Sequence, residues 1–297
     1  MSLELKDVSK SYNGKKVVDN ISFTMDKPGA FGLLGANGAG KTTTIRMILG
    51  IISKEKGVIN WKGNQVVREN VNFGYLPEER GIYPKSKLCD QLIYFANLKG
   101  IGKKEAKAEA EYWCKKLEVY EYFDKPAEQL SKGNQQKVQL ITALIHKPEL
   151  LILDEPFSGL DPVNTKMIKE IINEVIAGGT YVVLSSHQMP VVEEYANEIL
   201  ILNKGKTVLQ GNLSEIKSSY GKNNLMVKAK QDISKFIKPE LEIIEKTVNT
   251  YELKLKEETQ AESLLKELVT NGITIEKFEL KEPSLQEIFI EKVGGNK

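Results

Sequence analysis

The sequence predicts an α/β fold in which an antiparallel β layer, a parallel sheet core and a helical subdomain precede a small C-terminal α+β domain. Short strand-like segments and turns open the chain, and strand-like and helical segments alternate from residue 150 onward. Such alternation is typical of a parallel sheet with helical crossovers. The composition changes after Gly211, since residues 212–297 contain no Arg, Cys, His or Trp. We therefore place the main domain at 1–211, its helical subdomain at about 78–148, and the second domain at 212–297.

The first elements form the antiparallel layer. Residues 3–8, 16–19 and 21–25 alternate apolar and polar side chains with period two, and Asn13-Gly14 between them is typical of a hairpin turn. Residues 57–67 read as a second hairpin.

The core elements follow the same logic. An apolar run at 30–34 leads into glycine-rich residues 35–40 and a helical segment at 42–49, which predicts a strand, a loop and a helix. Residues 87–147 have helical character. The later strands and helices are predicted at 150–154, 163–176, 181–185, 191–197 and 198–202. In the second domain, strands at 224–230 and 273–280, a strand pair at 243–256, and helices at 262–269 and from Pro283 suggest a ferredoxin-like arrangement.

Length, composition and charge exclude several classes of protein. A chain of 297 residues that is 41% hydrophobic can bury a core, which excludes disorder and collagen-like repeats. A formal net charge of +2 gives no compositional support for nucleic-acid binding. The longest apolar runs fall far short of the roughly 18 residues of a membrane span, and no apolar signal region opens the chain, so we expect a soluble cytosolic protein. Cys89 and Cys114 are expected to be reduced thiols, and His146 to interact with a helix C-terminus.

The glycine-rich segment has the pattern of a phosphate-binding loop. It reads Gly35-Ala36-Asn37-Gly38-Ala39-Gly40-Lys41-Thr42, with a predicted strand before it and a helix after it. Glycines let backbone N–H groups turn inward around phosphate oxygens, and the helix start favours an anion. We expect this loop and Thr43 to bind a nucleotide, with Lys41 at the β- and γ-phosphates and Thr42 as a Mg²⁺ ligand. Because eight positions match in the right context, an ordinary tight turn is disfavoured.

Two carboxylates, Asp154 and Glu155, follow the apolar strand at 150–154. Ligands bind at the carboxyl ends of the strands in open α/β sheets. We expect Asp154 to hold Mg²⁺ and Glu155 to accept a proton from the water that attacks the γ-phosphate. A strand that ends in Asp-Glu is common by itself, and the phosphate loop is what favours the catalytic interpretation.

Further motifs resemble one family. The segment Leu130-Ser131-Lys132-Gly133-Asn134-Gln135-Gln136 resembles the signature motif of ABC transporter ATP-binding subunits, and it precedes the carboxylate strand as in that family. The segment from Asp154 to Asp161 is similar to the Walker B and D-loop segments, and His187 to the switch histidine. The resemblance covers roughly residues 3–211 and implies the P-loop NTPase fold of an ABC cassette. Within the family, the stretch Leu-Pro-Glu-Glu-Arg-Gly from Leu76 and the ending from Pro283 are similar to ATPase subunits of ABC-2-type exporters.

The resemblance implies further site residues. Ser131 and the N–H of Gly133 would contact the γ-phosphate bound by the opposite subunit, so that ATP pairs two chains, as a homodimer or with a second ABC subunit. Asp161 belongs to the same set of nucleotide-binding residues. Tyr12 would stack on adenine, although a packing role is nearly as consistent with the sequence. His187 would hydrogen-bond to the γ-phosphate.

Two positions depart from the family pattern. Glu78 stands where most members have a Gln that touches Mg²⁺, and a carboxylate remains a suitable ligand. Lys132 and Asn134 replace the usual Gly and Gln of the signature, while Ser131 and Gly133 are retained.

The function implied is that of an ATP-hydrolysing motor, at the cytoplasmic side of the membrane, which drives separate integral membrane permease subunits of an exporter. One alternative is a soluble ABC ATPase with a mechanical or regulatory role, which predicts a second cassette or long heptads that the sequence lacks. A phosphate-loop kinase or GTPase is another, and the signature motif disfavours it. The transported substance is not identified.

Overall fold

The computed structural model describes residues 2–67, 71–79 and 81–294. Arg80, in the stretch from Leu76 that contributed to the resemblance, lies outside the described residues. The chain divides into two compact units after Gln210.

The described strands are, in chain order, β1 (Leu3–Tyr12), β2 (Lys15–Met25), β3 (Gly29–Gly35), β4 (Lys56–Trp61), β5 (Asn64–Gln65), β6 (Phe73–Leu76), β7 (Leu150–Asp154), β8 (Tyr181–Ser186), β9 (Glu198–Asn203), β10 (Lys206–Asn212), β11 (Asn224–Ala229), β12 (Glu242–Lys246), β13 (Thr250–Lys254) and β14 (Ile275–Lys281). The described α-helices are α1 (Lys41–Ile48), α2 (Leu88–Leu98), α3 (Lys103–Lys116), α4 (Lys132–Leu144), α5 (Pro162–Ala177), α6 (Met189–Glu193), α7 (Leu213–Ser219), α8 (Glu258–Thr270) and α9 (Leu285–Gly294).

The antiparallel layer has the strand order β2-β1-β4-β5. β1 and β2 pair through Asn13-Gly14, whose φ angles of 51° and 76° are those of a tight hairpin turn. Leu3 and Leu5 of β1 are fully buried and face the core, as the period-two pattern predicted.

A six-stranded sheet with the order β10-β9-β3-β8-β7-β6 forms the centre of the first unit. The pairs β3–β9, β3–β8, β8–β7 and β7–β6 are parallel. β7 is buried at all five positions, which explains its uninterrupted apolar run. Because β3, β8 and β7 are adjacent and parallel, Gly35, Ser186 and Asp154 reach the same edge of the sheet.

One predicted helix is placed wrongly. The sequence suggested a helix at 191–197, whereas α6 begins at Met189 and ends at Glu193. Pro190 lies in the first turn, where its missing N–H costs nothing, so the helix starts earlier. It ends early because the N–H of Asn197 donates to the carbonyl of Ala30 as the chain turns into β9.

The predicted role of His146 is also wrong. The side chain is only 8% exposed, and burial lowers its pKa to about 4. A neutral imidazole has no charge to offer the end of α4. Its Nε2 lies 3.0 Å from the carbonyl oxygen of Phe73, which can only accept, so Nε2 carries the proton and joins α4 to β6.

The second unit contains an antiparallel sheet with the order β12-β13-β11-β14. The sequence of strand, helix, two strands, helix and strand is that of a ferredoxin-like unit, except that a single 3₁₀ turn at Ser234–Phe236 replaces the first helix. α8 contributes Ala261, Leu264 and Leu268 to the unit's core. Among the described helices of the whole chain, none is both long and apolar enough to cross a membrane.

Candidate nucleotide-binding site

The phosphate loop joins β3 to α1 and requires glycine at particular positions. Gly35, Gly38 and Gly40 have φ angles of 149°, 77° and 107°, which L side chains rarely adopt. A Cβ on Gly35 would lie 2.4 Å from the carbonyl oxygen of Leu202, and one on Gly40 would lie 2.6 Å from that of Val17. The backbone can therefore form a narrow cradle that ends at the N-terminus of α1, an arrangement suited to an anion.

A cavity of about 340 Å³ opens beside this loop. It brings most of the predicted nucleotide and metal residues together from separate parts of the chain. Its lining consists of Val17, Asn37, Gly38, Ala39, Gly40, Lys41, Thr42, Thr43, Glu78, Asp154 and Glu155. The carboxylate at position 78, on the loop after β6, thus lies at the same cavity as the phosphate loop.

Lys41 is a buried cation at the centre of this site. Its side chain is 6% exposed, and its Nζ donates to the carbonyl oxygens of Gly35 at 2.7 Å and Ala36 at 3.4 Å. The same Nζ lies 3.7 Å from Oε1 of Glu155. The loop carbonyls thus hold the ammonium group of Lys41 at the cavity, where it faces the carboxylate of Glu155.

Asp154 is a buried carboxylate with oxygen-rich surroundings. Its Oδ1 accepts from the hydroxyl of Ser185 at 2.6 Å, and its Oδ2 from that of Thr42 at 3.0 Å. Burial raises the pKa of Asp154, an effect that these hydrogen bonds oppose. A carboxylate and a hydroxyl at this spacing are hard oxygen ligands, and a cation would compensate the buried charge. The residues therefore fit Mg²⁺.

Glu155 is held in one orientation by the last residue of β8 and the residue after it. Oε1 accepts from the backbone N–H of His187 and from its Nδ1, both at 2.8 Å, and Oε2 accepts from the hydroxyl of Ser186 at 3.1 Å. The φ of Glu155 is 51°, an uncommon value for a residue with a side chain. This turn aims the carboxylate back along the sheet edge toward Lys41, where it can act as a base for a water in the cavity.

Gly35, Ala36 and His187 do not line the cavity but hydrogen-bond to Lys41 or Glu155, which do. Four other predicted residues lie away from the cavity. Ser131 caps α4 by accepting from the N–H of Asn134 at 3.2 Å, and Asp161 caps α5 by accepting from the N–H of Asn164 at 2.9 Å. Hydrogen bonds from Asn164 lower the pKa of Asp161. Gly133 lies beside the start of α5, and none of these three lines the cavity.

Tyr12 is the fourth. It lies at the end of β1 with 46% of its surface exposed. Within the described part of the chain, the cavity wall includes Val17 of β2 but not Tyr12.

Ser185 and Ser186 are functional candidates that sequence reasoning did not assign. They end β8, the strand beside β7, and their hydroxyls bind the two carboxylates. The signal was present, because polar residues that end a predicted parallel strand share an edge with those of its neighbour. Val17 gave no such signal, since its position depends on how β2 passes the phosphate loop.

Comparison with known proteins gives matches for both units. The family model described as ABC transporter matches residues 18–158, and the one described as ATP-binding protein DrrA1-3-like, C-terminal domain, matches 211–293. The chain is 48% identical to the uncharacterized ABC transporter ATP-binding protein YhaQ of Bacillus subtilis, over 99% of each chain. It is 30% identical to the linearmycin resistance ATP-binding protein LnrL of the same organism, over 98% of each.

A solved structure of an ATP-binding subunit of an ABC transporter aligns with a TM-score of 0.69 and 31% identity, over 74% of this chain and 94% of that one. The fold, the phosphate loop with its paired carboxylates, and these similarities agree. The chain belongs to the ATP-binding proteins of the ABC transporter family.

Proposed function

We propose that this chain is the ATP-hydrolysing motor subunit of an exporter, which pairs around two nucleotides and drives separate integral membrane permease subunits from the cytoplasmic side. The observation that carries the proposal is the position of Glu155. A fixed carboxylate lies 3.7 Å from Lys41 and beside Asp154, at the mouth of a phosphate loop. Binding alone needs no such group, whereas hydrolysis of a phosphoanhydride uses a residue that orients the attacking water or accepts its proton.

Most residues of the cavity, together with His187 beside Glu155, have a role in this proposal. The loop N–H groups and Lys41 bind the phosphates of ATP, and Thr42, Asp154 and Glu78 would hold Mg²⁺, which neutralises charge that develops on the phosphate oxygens. Glu155 takes the proton of the attacking water. His187 holds Glu155 through two hydrogen bonds and has 42% of its side chain exposed for contact with the γ-phosphate.

Pairing of two chains is supported by the residues that lie outside the cavity. Ser131 and Asp161 are exposed, and with Gly133 they lie at the starts of α4 and α5. The helix start at α4 is suited to an anion. Its own chain's cavity does not use it, so a nucleotide held by a second copy or a second ABC subunit is the ligand we assign.

An apolar surface on the helical subdomain supports a membrane partner. Tyr83, Tyr94 and Leu98 are 55%, 52% and 64% exposed, and Phe95 stacks on Tyr83. Contiguous exposed aromatic surface is typical of an interaction site. The name of LnrL refers to linearmycin resistance, and resistance to a small molecule is consistent with its export.

Copurification tests the proposal. Tagged chain is extracted from membranes in mild detergent, and a multispanning protein is expected to copurify and to lose association with Tyr94→Glu and Leu98→Glu. Val269→Glu, which replaces a 61% exposed apolar residue of the second unit, is the matched control and should retain the partner. Full ATPase turnover without any membrane partner would instead favour the soluble motor.

A further inference from the structure

Asn164 fills the space in front of Gly133. A Cβ on Gly133 would lie 2.7 Å from Nδ2 of Asn164 and 3.3 Å from its Cγ, closer than side chains pack. The second residue of α4 and the third residue of α5 therefore meet where only a glycine leaves room.

The Asn164 side chain is not free to swing away. Its backbone N–H donates to Oδ1 of Asp161 at 2.9 Å, and its Nδ2 donates to Oδ2 of the same carboxylate. Both carboxylate oxygens are thus engaged by one residue. A side chain at position 133 would have to displace the Asn164 amide from its place beside Asp161.

A hydrogen bond and a buried charge further link the first turns of α4 to the segment between Glu155 and α5. Gln136 Nε2 donates to the carbonyl oxygen of Pro156 at 3.2 Å. Lys137 is one turn after Gly133 on the same helix face and only 4% exposed, and the negative charges that act on it are those of Glu118 and Asp161. Steric contact, hydrogen bonding and charge therefore all link the signature motif to the segment from residue 156 to Asp161 within one chain.

We propose that Asn164 is a positioning residue. It holds the signature motif, residues 130–136, and the segment from residue 156 to Asp161 at a fixed relative position, so that both contact the nucleotide bound by the partner at the same time. The inference rests on the proposed pairing of two chains. Position 133 is then a glycine because Asn164 of the same subunit occupies the space that a side chain would need. Gly133→Ala keeps the backbone N–H and improves helix propensity, so a defect cannot come from losing that donor or from weakening α4.

The test is a double-mutant cycle in the full-length Glu155→Gln chain, which is expected to bind ATP without rapid turnover. Asn164→Ala, Gly133→Ala and the double variant are compared by MgATP affinity of the single chain and by ATP-driven dimerisation in light scattering. Each single change is expected to weaken dimerisation roughly tenfold, the scale of one hydrogen bond to a charged group, and to leave MgATP affinity within about twofold. In the double variant, Gly133→Ala should add almost nothing, because the side chain it collides with has gone.

Asn164→Asp separates hydrogen bonding from packing. It has the shape of Asn but replaces the donor with a second carboxylate beside Asp161, so it should dimerise less well than Asn164→Ala. Val163→Ala, on the same turn and 72% exposed, is the control and should behave as the parent. If the melting temperature shows that Asn164→Ala does not fold, Asn164→Ser takes its place in the cycle with the same expected coupling.

Additive effects of Gly133→Ala and Asn164→Ala, or dimerisation by Asn164→Asp equal to that of the parent, would overturn the inference. Failure of the Glu155→Gln parent to bind MgATP or to dimerise would refute the proposed function itself. The two failures are therefore distinguishable.

Discussion

His146 should make the cassette sensitive to mild acid. The unfolded chain takes up a proton at this side chain near pH 6.5, whereas in the folded chain burial lowers the pKa to about 4. The same Phe73 carbonyl that accepts from His146 also accepts from Lys99 Nζ at 3.1 Å, and that positive charge further disfavours an imidazolium. Between these two pH values the unfolded state binds more protons, so stability falls as the pH falls.

The size of the effect follows from the two pKa values. Above pH 6.5, the shifted pKa of His146 costs the folded state no stability. The free energy of unfolding falls by about 2 kcal/mol at pH 5, and the loss reaches its limit of about 3 kcal/mol below pH 4. Each unit of difference between the two pKa values is worth about 1.4 kcal/mol. A loss of this size is a substantial part of the stability of an ordinary domain.

Urea unfolding followed by tryptophan fluorescence measures this contribution in the first unit alone, because Trp61 and Trp113 are the two tryptophans of the chain. His146→Gln keeps an N–H that can reach Phe73 and does not titrate. The stability difference between pH 7.5 and pH 5 should therefore be about 2 kcal/mol smaller in this variant than in the natural chain. Identical pH dependence of the two proteins would refute the reasoning.

Four further predictions concern the cavity and the second unit. Glu155→Gln should bind ATP and fold normally, since an amide can donate to the Ser186 hydroxyl and accept from His187, but its turnover should fall at least about a hundredfold; near-normal phosphate release would remove the general base. Lys41→Ala should lose MgATP affinity in calorimetry, and unchanged affinity would contradict the phosphate-loop assignment. Glu78→Gln should shift the Mg²⁺ concentration needed for turnover and Glu78→Ala should impair hydrolysis, whereas unchanged metal dependence in both would place the side chain outside the site. Truncation after residue 211 should leave nucleotide affinity intact, and its loss in a folded fragment would contradict a separate role for the second unit.

The elements that could be predicted from the sequence are those whose signal is local. β7 has the predicted bounds because four consecutive apolar residues followed by a polar strand end leave few other structures. The phosphate loop could be identified because its glycines adopt positive φ angles that the motif needs, so the pattern is visible in eight consecutive residues. β6 was missed, since its four residues become a strand only by pairing with β7, and α7 was missed because a seven-residue helix capped by Asn212 gives little periodicity.

The candidate site likewise combines residues with a local sequence signal and contacts that depend on the tertiary fold. The pairing of Ser185 with Asp154 joins residues 31 positions apart, and that of Thr42 with Asp154 joins residues 112 apart. Motifs indicated which residues carry the chemistry, but the hydroxyl and imidazole groups that orient the two carboxylates depend on the parallel order of β3, β8 and β7. The proximity of Gly133 to Asn164 could not be inferred either, because it depends on how α4 and α5 are packed.

Charge distinguishes the two helix starts that meet at Gly133. The first turn of α5 follows Asp161, whose carboxylate already accepts from that turn and offsets the positive end of the helix. The first turn of α4 contains no acidic residue and includes the exposed Lys132, which costs about 0.3–1 kcal/mol when no anion is near. Of the two helix starts, the one at Ser131 is therefore electropositive, and the adjacent start at Asp161 is neutralised. In the proposed pair, a phosphate bound by the second chain would meet the start of α4. The start of α5 at Asp161 would hold the start of α4 in position.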